Sequence, residues 1–223
     1  MNGIPDIELY GENNPTIYSP NSPYEISFYQ TKQTLTENVE DYSDFLHNAI
    51  SRFRKSRTYK HYKGYLIGLG LDRCQFHGNI TDQMATIEMH HNMLTIFDIA
   101  LILTEYMLNT YGYITTYDLV YLLKQEHKNN RIPLVMLSLT PHQLYHNDDD
   151  FYIDPKMGFG KWWEFLEMYK EGITLDIAYK IIKILDTSIK KDGSSDDNNL
   201  LNIREKILDW SQYNEFKYNK PMY

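Results

Sequence analysis

Cysteine is almost missing from this 223-residue chain, with Cys74 the only one. One thiol excludes an internal disulfide, and it excludes a zinc site built from four cysteines of one chain. Also missing is any apolar run long enough to cross a bilayer. The most apolar stretch, residues 93–108, carries Asp98, Glu105 and two threonines, which suits a buried helix and not a span. The N-terminal residues lack the basic start and apolar stretch of a signal peptide, so the expectation is a cytoplasmic protein that does not engage a membrane. Positive charge is in deficit too: 22 Lys and Arg stand against 30 Asp and Glu, a net −8. That excludes a protein that coats nucleic acid through bulk charge. No internal repeat is visible.

What is present is ordinary in amount and uneven in placement. A hydrophobic content of 42% and a charged content of 23% fit a globular chain able to bury a core as one domain with appendages. The abundance of Tyr, Asn, Ile and Lys is what an AT-rich coding genome produces, phage or low-GC bacterial. Arg52, Arg54, Lys55, Arg57, Lys60 and Lys63 fall within twelve residues that hold no acid. Phe53, Tyr59, His61 and Tyr62 lie among them, so the segment reads as a strip for phosphates with rings to stack on bases.

The periodicity predicts a mostly helical chain with a small hairpin. Pro5, Pro15, Pro20 and Pro23 make residues 1–34 an extended lead-in. A helix is expected from Thr36 to Arg57, with Val39, Tyr42, Phe45, Leu46, Ala49, Ile50 and Phe53 on one stripe. Residues 86–91 alternate as a strand, placing Ile87, Met89 and His91 on one face and Glu88 and His90 on the other. Helices follow at 96–109 and 117–128, then a strand at 134–137. Thr140 and Pro141 form a start signal for a helix carrying His142 and His146. Further helices are expected at 161–171, 174–190 and 200–213, with a polar, flexible link at 191–199. The segments divide as 1–64 (arm and basic helix), 65–160 (core, with a helical insertion at 96–128) and 161–223 (C-terminal helices).

The histidines carry the chemistry. His90-His91 closes a strand, and His142-x-x-x-His146 lies on one helical face, where two imidazoles can share an ion. Two such settings supply ligands for a divalent cation and a neighbouring base, which is what phosphodiester hydrolysis needs. The blander readings are surface histidines at 47 and 127, a core role for Trp162-Trp163, and a solvated acidic loop at Asp148-Asp149-Asp150. That loop otherwise offers carboxylates to a second metal.

Taken together, Ile87-Glu88-Met89-His90-His91 and Leu134 through His146 (LVMLSLTPHQLYH) resemble the HNH, or ββα-metal, nuclease motif. The similarity is greatest to the version found in colicin-type DNases. The resemblance implies a ββα-metal core elaborated by a helical insertion and C-terminal helices. It implies His91 as general base and His90, His142 and His146 as ligands of a divalent ion (Mg²⁺, Mn²⁺, Zn²⁺ or Ni²⁺). Cys74-x-x-His77 stands where many such proteins carry the first half of a zinc knuckle. The second half would fall at Ser138 and Pro141, so structural zinc is not expected. The family's middle Asn aligns with Pro133, leaving Asn129 or Asn130 as supporting candidates out of register. The expected function is a metal-dependent endonuclease acting on nucleic acid, DNA before RNA. The alternatives are a catalytically inactive nucleic-acid- or protein-binding module on the same scaffold, such as a phage regulator or inhibitor, and a helical interaction protein with incidental histidines.

Overall fold

The computed structural model describes residues 16–17, 26–27, 29–37, 39–147, 152–192 and 198–218. Most of the proline-rich lead-in, the acidic run at 148–150 and most of the polar link at 191–199 lie outside the described residues. The described chain is mainly helical with small two-stranded antiparallel sheets. In order it runs β1 (Thr16–Ile17), β2 (Ile26–Ser27), β3 (Gln30–Thr31), α1 (Lys32–Thr36), α2 (Val39–Lys55), α3 (Arg57–Gly68), β4 (Ile87–His91) and α4 (Ile96–Tyr111). It continues with β5 (Tyr113–Ile114), α5 (Thr116–Lys128), β6 (Leu134–Ser138), α6 (Leu139–Asn147), α7 (Trp162–Met168), α8 (Leu175–Asp192) and α9 (Asn198–Tyr218).

Three features position the histidines. First, β4 and β6 pair antiparallel in the register Ile87↔Ser138, Glu88↔Leu137, His90↔Val135 and His91↔Leu134. The chain between them is not a turn but α4, β5 and α5, the insertion expected from the sequence. Each of these two helices starts with a reciprocal cap: Thr95 with Asp98, and Thr115 with Asp118. Second, α6 follows β6 without a linker and packs back on both strands. Third, α2 lies against α4 and α5. The stripe of Phe45, Leu46, Ala49, Ile50 and Phe53 is buried there as its spacing predicts.

The helix expected at 36–57 is α2, shorter at both ends and flanked by two others. Thr36 ends α1 rather than capping α2, and Ser56 interrupts the run in an extended conformation and caps α3, accepting from the Tyr59 amide. A serine hydroxyl that satisfies an orphan amide starts a new helix more cheaply than it continues an old one. Helix α3 then runs through Gly64, so the boundary expected at residue 64 falls inside a helix. Helix α6 starts at Leu139, which puts Thr140 and Pro141 within its first turn. Proline is tolerated there because first-turn amides have no intrahelical acceptor. Tyr62 and Phe53, expected as stacking rings, are buried because each points into the helical core. Trp163 stacks on Trp210 of α9, with centroids 5.5 Å apart, in keeping with the core reading of the tryptophan pair. One apolar cluster extends from Leu35 to Ile207, so the hairpin is set into a continuous core.

Candidate active site between the hairpin and helix α6

A cleft of about 820 Å³ opens along β4. Two sets of side chains line it: Glu88, His90, His91 and His142, and Arg54, Tyr59, Lys60 and Lys63. The two halves come from opposite ends of the sequence argument: the paired histidines and the basic strip meet at one opening. Lys63 is tied in by its ammonium, which donates to the Ile87 carbonyl at 3.1 Å. Arg57 turns along its own helix, with its Nε 3.2 Å from His61 Nε2. Arg52 and Lys55 are exposed on the last turn of α2, where cations also suit the helix dipole.

Strand alternation splits the adjacent imidazoles. Glu88 and His90 face α6. The rings of His90 and His142 meet edge to face with centroids 5.0 Å apart, and Tyr145 closes on His90 at 4.4 Å. Glu88 Oε2 lies 2.6 Å from His142 Nδ1. A carboxylate can only accept, so this contact assigns a proton to Nδ1 of His142 and, in the neutral ring, leaves the lone pair on Nε2. This is the arrangement by which carboxylates commonly orient metal-binding histidines. Nε2 of His142 is the type of nitrogen that can serve as an imidazole ligand to a divalent ion. Among the described residues no group of three or more His, Cys, Asp or Glu side chains is arranged to hold a metal. His146 lies one turn beyond His142 in α6, but its side chain is outside the described residues.

His91 faces the other way, toward α5, and there it meets a residue the sequence had read as exposed. His127 is 1% exposed, enclosed by the rings of Phe53, Tyr59 and Tyr62 at centroid distances of 4.6, 6.1 and 5.6 Å. His127 is buried because it sits one turn after Leu123 on the buried face of α5, not beyond the helix end. Its Nδ1 is 2.7 Å from the Leu123 carbonyl, and its Nε2 is 3.1 Å from Nε2 of His91. Burial holds both rings neutral. It brings His127 down to about 4, opposed only by the Leu123 hydrogen bond. It carries His91 well below the ordinary imidazole value, with the fields of His127, His90 and Arg54 adding. His47 is exposed and tilts against Phe97 at 5.2 Å.

The end of β4 is a tight corner. Met93 has φ of 63°, and its amide donates to Asn92 Oδ1 at 3.0 Å. Asn92 itself is buried, with its amide bonded to the Pro133 carbonyl and its side chain to the Asp154 carbonyl. Asn92 is thus the asparagine that braces this end of the hairpin. Asn129 ends α5 instead, and Asn130 bonds Tyr62 and Tyr65. At the other end, residues 74–80 fold against β6. Gln75 exchanges hydrogen bonds with Met136 through its backbone amide and its Oε1. Buried Cys74 lies against Ser138, the position where the resemblance puts the other half of a knuckle. Burial raises its thiol, but hydrogen bonds with Ser138 and the backbone at His77 and Phe76 outweigh that and lower it.

The match to known families covers nearly the whole chain. Residues 3–214 match the profile of the bacteriophage G278-like virion proteins, and the chain belongs to that family. It is therefore a phage-associated protein. No curated relative and no solved structure matches it. No helix among the described residues is long and apolar enough to cross a membrane.

Proposed function

We propose that the chain is a metal-dependent endonuclease of the HNH type, hydrolysing phosphodiester bonds in nucleic acid, with DNA the favoured substrate. The observation that carries this reading is the meeting of His90 and His142, from strand β4 and helix α6, at a centroid distance of 5.0 Å, with Glu88 orienting His142. In this proposal His90, His142 and His146 hold one divalent ion, His146 by its position four residues along the same helix. The ion supplies charge neutralisation at the scissile phosphate. His91, neutral because it is buried, takes the proton from the attacking water. Arg54, Lys60 and Lys63 hold the flanking phosphates at the same cleft, and Arg52, Lys55 and Arg57 extend that grip along the duplex.

The test is plasmid cleavage in Mg²⁺, Mn²⁺, Zn²⁺ or Ni²⁺, repeated with EDTA and with His91→Ala. Metal-gated cutting that falls by about 10²-fold or more in the variant supports the proposal. A variant that cuts as fast as the parent removes His91 from the role of base. The family description, a virion protein, favours a second reading: a non-catalytic component that binds nucleic acid or protein on the same scaffold. A retarded but uncut DNA band in every metal would favour it.

A further inference from the structure

His127 is a buried ring for which the proposed hydrolysis has so far no use, and its two contacts fix where protons sit. The Leu123 carbonyl can only accept, so Nδ1 of His127 is the donor in the 2.7 Å contact between them. A neutral imidazole with its proton on Nδ1 has its lone pair on Nε2. That nitrogen is 3.1 Å from His91 Nε2, and the hydrogen bond forms only if His91 carries its own proton on Nε2. The lone pair of His91 is then on Nδ1. The chain carbonyl → His127 → His91 thus propagates one choice of tautomer from the backbone of α5 to the end of β4.

We infer that His127 is a positioning residue for His91, holding its proton on Nε2 so that Nδ1 is the nitrogen that accepts a proton. The inference deepens the nuclease proposal and rests on it for its consequence in catalysis, although the tautomer itself is independent of any activity. Orientation of a base by a hydrogen bond to its second nitrogen is a general device, and a base caught in the wrong tautomer loses orders of magnitude in rate. What is particular here is that the orienting group is a second neutral imidazole instead of a carboxylate. In its neutral form it carries no net charge, unlike a carboxylate, and is itself set by a helix carbonyl. Phe53, Tyr59 and Tyr62 keep water from competing for the bond.

The experiment has two readouts. Long-range proton–nitrogen correlation spectra of histidine-labelled parent protein, assigned with single-histidine variants, report the tautomer directly. The expected result is His127 with a pyrrole-like Nδ1 and His91 with a pyrrole-like Nε2 and a pyridine-like Nδ1. A parent spectrum with His91 protonated on Nδ1 overturns the inference, whatever the protein's activity. The second readout is kinetic. His127→Leu removes the acceptor, and His127→Gln restores one through its side-chain oxygen. If the parent cuts DNA, kcat should drop by about 10²-fold in the Leu variant with KM nearly unchanged, and the Gln variant should recover most of it. Equal losses in both variants, with folding intact, overturn the positioning role. If the parent cuts nothing in any metal, the nuclease reading fails and the parent spectrum alone decides the assignment of His91.

Discussion

At the scale of single residues, burial and hydrogen-bond direction decide which nitrogen does what. Glu88 assigns His142 by accepting from Nδ1, much as the Leu123 carbonyl assigns His127. Replacing Glu88 by Gln keeps the shape but weakens the hold on the ring. The expected outcome is a 10–100-fold loss in affinity for a divalent ion by calorimetric titration, in proportion to other outer-sphere partners of metal-binding histidines. Unchanged affinity would mean that His142 does not bind the ion. The spacing His90-His91 and His142-x-x-x-His146 was readable in the chain because strand and helix periods translate directly into faces. His127 was misread because it lies beside Lys128 and Asn129 near a helix end, where histidines are commonly solvated. The signal that could have placed it is the run Leu119, Leu123, His127, one residue per turn along the buried face of α5. Asn92 was missed for another reason: its value comes from reaching the Pro133 and Asp154 carbonyls, which no local pattern reveals.

At the scale of elements, the hairpin is held by what is inserted into it. Helix α5 delivers His127 to β4, and its C-terminal end is fixed by Glu126, which is 1% exposed. That carboxylate takes two hydrogen bonds from Arg131, at 2.6 and 2.7 Å, and one from Tyr169 at 2.8 Å. A buried charge satisfied on three sides resists removal. The helices of the insertion and the two strands were legible from their apolar period. The break at Ser56 was not, since a serine amid basic and aromatic residues fits either a helix interior or a cap. That break matters, because it swings α3 so that Lys60 and Lys63 join Arg54 at the cleft. If these three hold phosphates, replacing all of them by Ala should weaken DNA binding and lower the slope of log affinity against log salt by about 3. An unchanged slope in a fluorescence titration would place the DNA elsewhere.

At the scale of the whole molecule, one core extends from Leu35 to Ile207 and encloses two imidazoles that cannot easily take up protons. The consequence is a pH-dependent stability with a definite sign. Above the ordinary imidazole value of 6.5, His127 is neutral in folded and unfolded chains alike, and stability is complete. As pH falls toward about 4, the unfolded chain binds a proton that the folded chain refuses. Stability is lost across that window, by about 3 kcal/mol from His127 alone, and His91 adds in the same direction. Denaturant melts between about pH 7 and about pH 4.5 should show this loss, and His127→Leu should reduce it, leaving the share due to His91. A parent whose stability is level across the window would contradict the burial described. Overall architecture was legible as mainly helical with a small hairpin. The depth at which the hairpin sits was not, because it depends on packing between segments far apart in the chain.

The most direct test of the central claim is anomalous scattering from crystals soaked in Zn²⁺ or Mn²⁺. A single strong peak is expected between β4 and α6, about 2.0–2.2 Å from nitrogens of His90, His142 and His146. An ion bound elsewhere, or none at a concentration that saturates other imidazole sites, would contradict it.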